Sequence, residues 1–94
     1  MGLVVLSETP NMTGEQYDRV AAELGLSGAL PPGCLAYIAG LGPDGSTWRG
    51  ISVWESGPQA KEFMDTMLRP AMERAGAVPI WGPPTTWELH ELIT

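Results

Sequence analysis

Cysteine and histidine, the two side chains that most often hold metals, occur once each in this 94-residue chain, as Cys34 and His90. A lone cysteine closes no internal disulfide and a lone imidazole builds no zinc-finger site, so a reducing compartment fits and no metal is expected. Positive charge is scarce as well. Five Lys+Arg stand against 11 Asp+Glu, a net charge of -6, which is the wrong sign for phosphates or anionic lipid headgroups. Neither nucleic acid nor a membrane is therefore expected as a partner. Long apolar runs are missing. The stretch from Met1 to Leu6 stops at Ser7-Glu8 and lacks the basic flank of a signal sequence, so a soluble, cytoplasmic protein is expected. No glycines form a G-x-G-x-x-G or P-loop pattern, which removes the common phosphate cradles. Repeats, low-complexity tracts and dividing linkers are absent too, and the length suits one domain over residues 1–94.

Alternating and helical patterns fill this single domain. Gly2 to Ser7 is an aliphatic run closed by Glu8-Thr9-Pro10-Asn11, a first strand. Thr13-Gly14-Glu15-Gln16 is a capping box, and Tyr17, Val20, Ala21 and Leu24 follow at helical spacing until Gly25, suited to a left-handed C-cap. After a loop from Leu26 to Gly33, Cys34–Ala39 reads as a second strand. The turn Gly42-Pro43-Asp44-Gly45 leads into a third at Thr47–Glu55, making a hairpin. Alternation puts Trp48, Gly50, Ser52 and Trp54 on one face of this strand and Arg49, Ile51, Val53 and Glu55 on the other. Ser56-Gly57-Pro58-Gln59 is a second capping box, and Ala60, Phe63, Met64, Met67, Leu68, Ala71 and Ala75 form one stripe expected to pack on the sheet, with Gly76 as its cap. Pro70 should kink this helix near Thr66 to Arg69. Pro79 to Pro84 reads as irregular, and Thr86 to Ile93 alternates as a last strand.

The order β-α-β-β-α-β is that of the split βαβ: an α+β, ferredoxin-like domain with a four-stranded antiparallel sheet and both helices on one face. The opposite sheet face is left bare. Because the third strand is apolar on both sides and the chain is short, a second copy is expected to cover that face, giving a two-fold homodimer.

Met12-Thr13-x-Glu15-Gln16-Tyr17-Asp18, Val53-Trp54-Glu55-Ser56, Leu68-Arg69-Pro70-Ala71 and His90-Glu91-Leu92-Ile93 together resemble the dimeric α+β barrel superfamily, especially small actinobacterial members related to antibiotic-biosynthesis monooxygenases. The resemblance spans the whole chain. It implies two ferredoxin-like protomers closing into an α+β barrel, with ligands held between the second helix and the sheet. The superfamily includes cofactor-free oxygenases, cyclases, isomerases and haem-degrading enzymes. The haem-degrading branch needs a histidine on the second helix and an asparagine on the first strand. Here that helix has no histidine and Ser7 stands where the amide is expected, so haem is not implied and no cofactor is.

The candidate site residues follow from what each side chain can do. His90 is the only group with an ordinary pKa near neutrality, hence the candidate base, or else an exposed imidazole near a dimer seam. Tyr37 and Arg49 could orient an enol or phenolate, Arg49 holding its charge; equally, Arg49 could pair with Glu55 or a partner carboxylate. Trp54, Met64 and Met67 are candidate walls for a flat ligand, or simply core. Trp48, Trp81 and Trp87 read as packing groups or interface seals. Three readings stand: a cofactor-independent oxygenase, cyclase or isomerase acting on an aromatic or polyketide-like metabolite; a ligand-binding or accessory homodimer without turnover; and a purely structural homodimer. A cavity between second helix and sheet decides among them.

Overall fold

A computed structural model describes residues 2–26, 28–76 and 84–94; Ser27, Trp81 and most of the irregular stretch after Pro79 lie outside them. Strand β1 (Leu3–Pro10) runs three residues beyond the expected Ser7 because a partner waits for all of it. It pairs antiparallel with β3 (Thr47–Trp54) from Leu3↔Trp54 to Pro10↔Thr47. Strand β2 (Cys34–Leu41) flanks β3 on its other side, and β4 (Thr85–Glu88) flanks β1, so the sheet order is β2-β3-β1-β4. This is the expected ferredoxin-like arrangement.

Strand β4 is shorter than the Thr86–Ile93 alternation suggested. Its register sets Glu88 opposite Leu3, so the next residues run past the start of β1. One further hydrogen bond, from the Leu89 amide to the Gly2 carbonyl at 2.9 Å, ends the pairing.

Helix α1 (Gly14–Leu24) opens on the expected capping box. The Thr13 hydroxyl accepts from the Gln16 amide at 3.1 Å while Gln16 Oε1 accepts from the Thr13 amide at 3.0 Å, and Gly25 closes it at φ 68°. The second cap is only half a box. Ser56 Oγ accepts from the Gln59 amide, but the Gln59 side chain turns to the Ser56 hydroxyl at 2.9 Å instead of to its amide.

The second helix has three parts: α2 (Gly57–Phe63), a π-helical turn (Met64–Leu68) and α3 (Arg69–Arg74). Pro70 has no amide proton for the ladder, and the expected kink takes the form of this wide turn, in which the Arg69 amide donates to the Met64 carbonyl. One extra residue per turn rotates everything downstream. Ala71 stays buried, but Met72, which lies off the expected stripe, joins it at 2% exposure.

Both helices pack on one sheet face. Met12, Val20, Ala71 and Met72 form one buried cluster, with Tyr17, Trp48 and Leu68 against it. Val5, Cys34, Trp54 and Ala60 form the other, with Leu3 and Phe63 against it. The opposite face presents Val4, Leu6, Ile51, Val53, Ile38 and Trp87, brought together by the strand registers. At its centre Val4 and Val53 are buried, whereas Ile38 is 65% and Trp87 47% exposed.

Candidate functional site

Between the two buried clusters the helices stand off the sheet and leave a cavity of about 320 Å³, at the small end of the range for ligand pockets. Val5, Ser7 and Thr9 of β1 and Trp48, Gly50, Ser52 and Trp54 of β3 form its floor, as alternation requires. Phe63, Met64, Leu68 and Met72 of the second helix cover one side, and Tyr17, Val20 and Leu24 of α1 the other.

Aromatic contacts shape both ends of the cavity. Trp54, 2% exposed, tilts against Phe63 with ring centroids 5.3 Å apart, and its indole N–H donates to Ser52 Oγ at 2.8 Å. Packing and wall are thus one role for Trp54. At the other end Tyr17 stacks on Trp48 at 5.0 Å. Trp48 Nε1 is shielded from solvent and has no partner among the described residues.

Tyr37 reaches this cavity through an irregularity in β2. Cys34 pairs with Trp54, but Ala36 pairs with Val53, so the register slips at Leu35. Strict alternation from Cys34 would turn Tyr37 to the far face; the bulge returns it to the helix side. There the Tyr17 hydroxyl donates to the Tyr37 hydroxyl at 2.9 Å. Gly50 makes room beneath, since a Cβ at that position would lie 3.3 Å from the Tyr37 oxygen.

Two titratable groups beside the cavity have raised pKa values. Partial desolvation pushes the Tyr37 phenol above its ordinary range. Burial likewise pushes the Cys34 thiol up, while its proton points at the Ala36 carbonyl, 3.4 Å away. Tyr37 therefore enters neutral-pH chemistry as a hydrogen-bond donor.

Of the residues singled out from the sequence, the cavity brings together Tyr37, Trp54 and Met64. It does not bring in Arg49, His90 or Met67. Arg49 lies on the opposite sheet face and pairs across the strands with Glu8 at 3.1 Å, so neither Glu55 nor an enolate beside Tyr37 is its partner here. His90 is exposed on the segment beyond β4. Met67 sits in the π-helical turn, which carries it out of the lining. Tyr17, Trp48, Phe63 and Met72 line the cavity without having been singled out as site residues. Shared-face alternation with Trp54 was the available signal for Trp48, and the apolar stripe of α1 for Tyr17. Among the described residues no group of three or more His, Cys, Asp or Glu could hold a metal ion, and no helix is long and apolar enough to cross a membrane.

No protein-family model and no curated protein matches this sequence. Solved structures do match its fold along the whole length. A candidate antibiotic biosynthesis monooxygenase from Chloroflexus aurantiacus superposes with a TM-score of 0.71 at 15% identity, covering 100% of this chain and 98% of that one. SnoaB, a cofactor-independent oxygenase from Streptomyces nogalater, gives 0.66 at 14% identity over 98% of this chain and 95% of its own. The ActVA-Orf6 monooxygenase of Streptomyces coelicolor, in complex with nanaomycin D, gives 0.58 at 18% identity over 99% and 91%. The chain therefore shares the fold of these antibiotic-biosynthesis-monooxygenase-like structures.

Proposed function

We propose that this protein is a homodimeric, cofactor-independent oxygenase of a flat aromatic, polyketide-like metabolite, with the helix–sheet cavity as its site. The observation that carries the reading is that cavity of about 320 Å³, apolar over most of its wall and aromatic at both ends, which suits a planar ring system. The fold shared with SnoaB and ActVA-Orf6 supports the same direction. Oxygenation without metal or flavin balances when an activated methylene is the substrate and supplies all the electrons. Its carbon loses both hydrogens, one atom of molecular oxygen becomes the ketone oxygen, and the other leaves with those hydrogens as water. The protein then has to bind, orient and desolvate the ring and to hold the developing oxyanion. Tyr37 can donate to that oxygen.

The pairing of two protomers through the Val4, Ile38, Ile51 and Trp87 face belongs to the same proposal. It covers the exposed apolar patch that a monomer leaves in water.

A second reading, a binding or accessory dimer without turnover, draws support from the raised pKa of Tyr37 and Cys34 and from the pairing of Arg49 with Glu8 on the opposite sheet face. Oxygen consumption with a panel of tricyclic aromatic ketones that carry an activated methylene, alongside calorimetric binding, separates the two. Binding with stoichiometric oxygen uptake that falls in Trp54→Ala supports the oxygenase. Binding without uptake leaves the accessory role, and absence of any binding defeats both.

A further inference from the structure

We infer that the Tyr17–Tyr37 phenol pair is the polar recognition element of the cavity, selecting flat ligands that carry a carbonyl or quinone oxygen at that end, with Tyr17 as the residue that positions Tyr37. This rests on the cavity being a ligand site, as proposed above, and adds which ligand chemistry it takes.

Two hydroxyls bring two O–H donors, and the contact at 2.9 Å uses one of them. One O–H remains, and no described residue accepts it. Three other polar hydrogens around the cavity are committed or inaccessible, and the Ser7, Thr9 and Ser52 hydroxyls lie along its floor. The Trp54 N–H goes to Ser52, the Cys34 thiol points at the Ala36 carbonyl, and Trp48 Nε1 is closed off from solvent. Tyr37, 46% exposed, is within reach of an incoming molecule.

Geometry fixes where that donor points. Stacking on Trp48 holds the Tyr17 ring, the β2 bulge turns Tyr37 inward, and Gly50 lets the Tyr37 hydroxyl settle over β3. A hydroxyl that accepts one hydrogen bond also donates more strongly to the next acceptor. The free donor is neutral and the chain carries a net charge of -6, so an uncharged acceptor such as a ketone or quinone oxygen is favoured over an anion. At its end of a mostly apolar wall this donor sets the orientation of the ring system.

The test compares two probes of the same outline, anthraquinone-2-sulfonate and anthracene-2-sulfonate, by calorimetric titration; their common sulfonate cancels in the comparison. The unsubstituted protein should bind the quinone more tightly. Tyr37→Phe should weaken quinone binding by about fivefold, the size of one lost neutral hydrogen bond, and leave the hydrocarbon unchanged. Tyr17→Phe should weaken the quinone by about two- to threefold, again without effect on the hydrocarbon. The double variant should match Tyr37→Phe, since Tyr17 acts only through Tyr37. Equal loss on both probes would show a packing role, and independent losses that multiply in the double variant would remove the positioning role; either overturns the inference. Equal affinity of the unsubstituted protein for both probes overturns it too while leaving the pocket intact. If neither probe binds, the pocket reading itself falls.

Discussion

Met67 and Met72 lie five residues apart on the second helix, yet only Met72 is buried and lines the cavity. Their fates separate at the π-helical turn, which adds a residue between α2 and α3. Met72→Ala is accordingly expected to cost about 2–5 kcal/mol and Met67→Ala less than about 1 kcal/mol in urea denaturation. The reverse order would mean that a regular α-helix runs through Pro70. At this scale Trp48 and Trp54 were legible, because period-two alternation needs only the strand. Tyr37 was named for its chemistry, while its direction depends on a bulge that pairing with β3 creates. Arg49 was read with the wrong partner for a related reason: Glu8 is 41 residues away in sequence and becomes its neighbour only through the β1–β3 register.

The hairpin between β2 and β3 is an element whose turn carries its own pH sensor. In Gly42-Pro43-Asp44-Gly45 the Asp44 carboxylate accepts from the Ser46 and Thr47 amides at 3.0 Å each and from the Thr47 hydroxyl at 2.7 Å. The Thr47 hydroxyl bond first, and then the two amides, lower its pKa from 3.8 to about 2. A depressed acid stabilises the fold fully above its unfolded pKa and loses that contribution as pH falls through the folded one. The turn should therefore hold above pH 3.8 and loosen as pH approaches about 2. The Ser46 and Thr47 amide shifts, followed by NMR, should inflect near the lower value, and Asp44→Asn should flatten them. An inflection at the ordinary aspartate value would show that the turn bonds are not formed. The helix caps belong to this scale too, and they were readable because Thr13, Gly25 and Ser56 act within one turn of themselves. The end of β4 was not readable, because it is set by where β1 begins.

For the whole molecule, the sheet face opposite the helices carries the proposed homodimer contact. Ile38 and Trp87 are exposed there beside the buried Val4 and Val53, and apolar area of this kind favours burial against a matching copy. Light scattering at micromolar concentration should return twice the 10.1 kDa chain mass. Ile38→Glu, which sets a carboxylate on the β2 side of that contact, should return the monomer mass. A stable monomer in the unsubstituted protein refutes the dimer, and an unchanged dimer in Ile38→Glu moves the contact to another face.

The sequence by itself determined the order of elements, the caps, the face assignment of β3 and, from these, a ferredoxin-like sheet with helices on one side. Each rests on interactions reaching no further than one helical turn or one strand residue pair, which is the range over which spacing is informative. Only the tertiary structure decided which side chains share the cavity. Tyr17 of α1 meets Tyr37 of β2 at 2.9 Å, Arg49 leaves for Glu8, and His90 stays outside in solvent. Those outcomes were fixed by a strand register, a bulge and a wide helical turn. All three arise when separate elements compete to satisfy their backbone groups against one another, and no local spacing records the result.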